Sequence, residues 1–225
     1  MIPLRDSMRP RRFPYINISL ILLNIIIFLY GLGLTEAELI RLYYQRGIVP
    51  QQFISSLLQG GTLGETWLPF LTSTFLHGGW FHLLGNMLYL WVFGDNVEDR
   101  LGRGGYLLFY LVAGAAGSIA HIAANSQSGV PTIGASGAIA GVLGAYLVFF
   151  PRARVLTLIP IVFFITTAHV PATLFLFIWF ILQLANASFA GLAAGAQTVA
   201  WWAHIGGFVL GFVFAVATHI RQKLR

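Results

Sequence analysis

The chain has 225 residues, 57% of them hydrophobic and 9% charged, against roughly 25% charged in an ordinary soluble domain. Apolar runs extend from Ile16 to His219, which excludes a separate water-exposed domain and leaves one membrane domain, residues 16–219, between basic segments at 1–15 and 220–225. The net charge of +6 sits in short Arg and Lys clusters between these runs, a pattern of membrane orientation that calls for a lipid bilayer and no nucleic acid.

The absence of cysteine excludes disulfides, a thiol nucleophile and a thiolate metal site. A hydrocarbon core about 30 Å thick takes about 20 apolar residues per helix, with about 17 as a lower limit. Six stretches meet that length: Ile16–Leu34, Gly78–Gly94, Tyr106–Ala124, Gly134–Phe150, Pro171–Ala187 and Ala200–His219. The first follows Arg5, Arg9, Arg11 and Arg12, as the apolar part of a signal peptide would. It is long for that role and has no A-x-A site after it, so it reads as an uncleaved span.

The connection from Thr35 to His77 is too long to be structureless. Its mixture of Leu39, Ile40, Leu42, Tyr43 and Tyr44 with Glu36, Glu38, Arg41 and Arg46 predicts short amphipathic helices in the membrane interface. Val155–Thr167 is apolar but too short to cross and carries Pro160; it is expected to be a buried or interfacial connection, with Pro171 in the first turn of the following helix. The expected fold is therefore all-α, a six-helix membrane bundle with a long interfacial first loop.

Counting Arg and Lys on alternate sides of the six spans gives eleven on one side and two, Arg41 and Arg46, on the other. The positive-inside rule then puts both termini in the cytoplasm. The expected location is a bacterial cell membrane. The sequence sets no oligomeric state.

With this topology spans two, four and six run from outside to inside. Their N-terminal ends carry His82 and Asn86, Ser136, and His204 in one outer layer of the membrane. Polar groups at that depth are costly and face a protein interior or a water-filled cavity. In Gly134-Ala135-Ser136-Gly137 the glycines allow close backbone approach, and a serine at a helix N-terminus has free backbone N–H groups beside it. His82 and Asn86 lie four apart on one helix face and can donate to an oxyanion at the same place. His204 can accept the Ser136 proton.

Each piece alone has a plainer reading. Gly137, Gly141 and Gly144 share a face, as do Gly207 and Gly211, and small residues line membrane helix contacts. A single intramembrane His or Asn is often an interhelical hydrogen bond. His77, His121, His169 and His219 are assigned structural or interfacial places.

Taken together and in order, His82-Leu-Leu-Gly-Asn86, Gly134-Ala-Ser136-Gly137 and Ala203-His204-Ile-Gly-Gly207-Phe-Val-Leu-Gly211 resemble the rhomboid intramembrane serine proteases. Phe75-Leu76-His77 and Val97-Glu98-Asp99-Arg100-Leu101-Gly102 fit as well. The resemblance implies a Ser–His dyad without an aspartate and no cofactor or metal. It gives Ser136 as nucleophile, His204 as base, and His82, Asn86 and the Ser136 amide as oxyanion donors. The implied partners are transmembrane protein substrates, reaching the serine laterally between spans two and five. Phe175 and Trp179 on span five are the candidate gate and, with Gly134, the candidate substrate contacts.

Two positions depart from the family pattern. Trp67-Leu68 stands where many rhomboids have Trp-Arg in the first loop. Ala140 stands where many have an aromatic that supports the histidine, so another group must orient His204. The competing functions are a protease-dead rhomboid relative that binds membrane helices, and a haem or metal protein using His82, His121 and His204.

Overall fold

The computed structural model describes residues 1–161, 164–190 and 199–223; Arg225 of the basic tail lies outside them. Helices form on all six apolar stretches: α1 (Tyr15–Leu32), α6 (Trp80–Leu101), α7 (Arg103–Ala124), α8 (Ser136–Phe149), α9 (Ala172–Ala190) and α10 (Trp201–Lys223). Among the described residues four of these, α1, α7, α9 and α10, are long and apolar enough to cross a membrane. α6 has the length but carries Asp95, Glu98, Asp99 and Arg100 in its last two turns. α8 has 14 residues, so it rises only about 21 Å.

The first connection is helical, as its composition predicts. It contains α2 (Glu36–Arg46), α3 (Pro50–Gln59), α4 (Leu63–Thr66) and α5 (Leu68–Thr72). Thr35 with Glu38, and Thr62 with Glu65, form reciprocal capping boxes that satisfy the first free N–H groups of α2 and α4. Beside Leu68, Phe53 packs edge-on against Trp67 and Phe70, which stack on each other, and with the hydrogen bond between Ser56 and Thr66 at 2.6 Å these rings hold the loop. Tyr43 ties it to the bundle by donating to the His77 carbonyl at 2.9 Å.

The all-α expectation needs one correction. Of Val155–Thr167, residues 162 and 163 lie outside the described residues, and the rest belong to the antiparallel pair β2 (Arg154–Ile161) and β3 (Phe164–Pro171), which β1 (Ile2–Asp6) joins in a sheet of order β1-β2-β3. The basic N-terminal segment thus begins as a strand. Val155, Thr157, Ile159, Ile165, Thr166 and Thr167 are β-branched and favour extended backbone. Pro160 lies beyond Leu158, the last β2 residue that pairs with β1, so its missing N–H interrupts no ladder on that edge. Pro171 closes β3, immediately before α9, rather than lying in its first turn.

The connections between the helices pack against one another in two groups, one at each end of α6. At one end β1 pairs with β2, and the α6–α7 corner receives the start of α1. There the buried Glu98 accepts the backbone N–H of Ile16 at 3.1 Å and of Asn17 at 2.7 Å, a carboxylate on the positive end of a helix. At the other end Ile48 and Thr132 exchange backbone hydrogen bonds, joining the first connection to the α7–α8 segment.

α8 is buried along most of its length and forms the axis of the core, against α7 and α10. The α8–α10 contact is made of backbone. A Cβ on Gly207 would overlap the carbonyl oxygen of Gly137, and one on Gly211 that of Gly141. The shared glycine faces read from the sequence are this contact.

Candidate active site

Ser136 is the first residue of α8, with the unpaired amides of a helix N-terminus around it. The chain arrives through Gly134, whose φ of +126° suits glycine and whose N–H donates to the Ser73 carbonyl at 2.8 Å. A Cβ on Gly134 would lie 2.6 Å from His82 Nε2, so glycine is what lets this segment pass the imidazole. His204 is on the first turn of α10. The Gly137–Gly207 contact lies one residue from Ser136 and one turn from His204, and so brings their two helix ends together.

A cavity of about 270 Å³ collects the predicted residues: Ser136, His204, His82 and Asn86 all line it. Tyr89, Trp179, Gln183 and Trp201 complete the part around the imidazole. Among the described residues neither His121 nor any carboxylate is in its lining, so the three histidines of the haem reading do not share this cavity. A larger groove of about 600 Å³ opens at the opposite end between β1, α1 and α6, and none of the predicted site residues lines it.

The support for His204 that Ala140 does not provide comes from α9 and α10. His204 Nδ1 lies 2.8 Å from Gln183 Oε1. Its ring stands 6.0 Å from that of Trp179 at 34° and 5.9 Å from that of Trp201 at 89°. The sequence reading did not single out Gln183, although a polar group within an apolar run is the signal that marked the other site residues.

His77 also does more than its structural assignment suggested. Its Nε2 lies 2.9 Å from Asn86 Nδ2, and its ring packs edge-on against His82 at 5.0 Å. Burial pushes the His77 imidazole down to about 3, so it is neutral and can accept one Asn86 N–H. The other N–H of Asn86 remains for the cavity.

Phe175 is buried, 6.4 Å from the ring of Tyr89 and 6.2 Å from that of Phe93 on α6. Trp179 lies 6.5 Å from Tyr89 and 6.0 Å from Phe208. Both side chains therefore face the bundle, and aromatic rings bridge α9 to α6.

A family model for the rhomboid domain matches residues 64–221, which includes every residue of this cavity. The chain belongs to the rhomboid family. The rhomboid protease GluP of Bacillus subtilis is 49% identical over 84 residues, 37% of this chain and 16% of that protein. Rhomboid protein 1, mitochondrial, of Saccharomyces cerevisiae is 33% identical over 146 residues, 63% of this chain and 39% of that one. Presenilin-associated rhomboid-like protein A, mitochondrial, of Danio rerio is 31% identical over 147 residues, 64% of this chain and 36% of its relative. The matches thus span well under half the length of these relatives. They come from a bacterium and from mitochondria, so membership of this membrane family does not select the expected bacterial cell membrane.

Proposed function

We propose that this rhomboid is an intramembrane serine endopeptidase that cleaves transmembrane segments near the outer side of the bilayer, with six crossings and both termini cytoplasmic. The observation that carries the reading is the convergence of Ser136, His204, His82 and Asn86 on one cavity. The grouping of the N-terminal strand, the α6–α7 corner and the β2–β3 pair at one end supports the topology.

In this mechanism the Ser136 hydroxyl attacks the scissile carbonyl carbon and its proton passes to His204 Nε2. The carbonyl oxygen becomes an oxyanion, held by the N–H groups of Asn86, His82 and the Ser136 backbone. Collapse breaks the C–N bond, and the imidazolium returns the proton to the leaving amine. Water, deprotonated by His204, then hydrolyses the ester, releasing the acid and restoring Ser136. A helical peptide bond is shielded by its own turns, so the preferred cut lies at small or helix-breaking residues that unwind into the cavity.

The test is cleavage of a reconstituted transmembrane substrate, with a fluorophosphonate as active-site label. Labelling of Ser136 that is lost in His204→Ala, with no cleavage by Ser136→Ala, is expected. Full cleavage by Ser136→Ala, or a label on another residue, overturns Ser136 as the nucleophile, whereas no cleavage and no labelling by the wild type leaves helix binding as the function.

A further inference from the structure

We infer that Gln183 is a positioning residue for His204: it holds the imidazole as the Nδ1–H tautomer and leaves the Nε2 lone pair for Ser136. The role in catalysis rests on the reading of His204 as base; the tautomer does not.

The assignment follows from the hydrogen bonds of one buried amide. Gln183 Nε2 lies 3.1 Å from the carbonyl oxygen of Trp179, one turn earlier on α9. That oxygen can only accept, so it takes the NH₂ end of the amide. The opposite end, Oε1, is then the atom 2.8 Å from His204 Nδ1. An amide oxygen has no proton to give, so Nδ1 must carry the hydrogen, and in a neutral imidazole the other nitrogen is the acceptor. Trp179 and Trp201 restrict the ring plane while Gln183 sets its chemistry.

An amide in this place has a physical advantage over the carboxylate of a catalytic triad. Among the described residues no Asp or Glu lines the cavity, and an ionised carboxylate there would have to be removed from water. A glutamine orients the ring with no such charge. It also makes orientation of the base depend on α9, because Gln183 is on that helix while Ser136 and His204 are on α8 and α10.

Nitrogen-15 NMR of the histidine-labelled protein in lipid tests the tautomer, in the Ser136→Ala background as well as in the wild type. His204 is expected to show a protonated Nδ1 and a bare Nε2. Gln183→Leu should convert it to a mixture containing Nε2–H and lower kcat about 10- to 100-fold, the size of effect typical of an orienting partner, with KM unchanged. A bare Nδ1 in the wild type overturns the inference even if the leucine variant does not fold. So does a folded Gln183→Leu protein with wild-type kcat and tautomer. If the tautomer behaves as expected while Ser136→Ala still cleaves, the reading of Ser136 as nucleophile with His204 as its base has failed and the contact stands.

Discussion

The carbonyl oxygen of Gly137 lies so close to Gly207 that no side chain fits between α8 and α10. This backbone contact lies at the level of Ser136 and His204, so the spacing of the two helix ends depends on it. Gly207→Ala should force the helices apart. Overpacking of this kind costs about 1–3 kcal/mol, and proteolysis should fall by more than the folded fraction does. Thermal unfolding beside cleavage of the same preparation measures both. Wild-type turnover in Gly207→Ala would mean that this contact does not set the dyad.

Asn86 has a second anchor in His77, 2.9 Å away. Loss of one oxyanion donor costs roughly 100- to 1,000-fold in turnover, which is the expected range for Asn86→Ala. His77→Ala leaves the donor present but loosely held and should have a smaller effect in the same direction. Steady-state cleavage by the two single variants and the double variant decides this. Once Asn86 is gone, removal of His77 should add little.

Phe175 and Trp179, four residues apart on α9, separate into different roles. Phe175 contacts only rings of α6 among the described aromatic pairs, whereas the Trp179 ring also lies tilted beside that of His204. Phe175→Ala should speed cleavage of a transmembrane substrate without changing that of a short soluble peptide, since only the former must pass between helices. Trp179→Ala should slow the soluble peptide as well, because it loosens the base. Equal slowing of both substrates by Phe175→Ala would remove it from the gate.

Asp6 carries the N-terminal strand onto the helix ends, where it accepts hydrogen bonds from Tyr146 and from Asn96. Burial pushes the Asp6 carboxyl up from its ordinary range, against the lowering effect of the Tyr146 hydroxyl. The folded state therefore favours the protonated acid. The sheet is most stable at pH values below the usual carboxylate range and loses stability as pH rises through the raised pKa of Asp6. Asp6→Asn should reduce that loss, measured as the melting temperature in detergent from weakly acidic to neutral pH. The same pH slope in both proteins would show that Asp6 titration does not govern the sheet.

The apolar runs of the sequence located the four helices that are long and apolar enough to cross a membrane, as well as α6 and α8, because a helix in lipid satisfies its own backbone within one continuous segment. The same local logic marked Ser136, His204, His82 and Asn86, since a polar group in such a run is costly enough to call for a reason. Only the tertiary structure decided what depends on pairing between distant segments. The β2–β3 pair has the β-branched residues of strands, but its partner is Ile2–Asp6, more than a hundred residues earlier, and no periodicity within either segment specifies that register. Nor does spacing along α9 reveal that Gln183 faces His204, because the face that α9 turns to α10 is set by contacts in three dimensions, with Trp179 and Phe180 packed on Phe208.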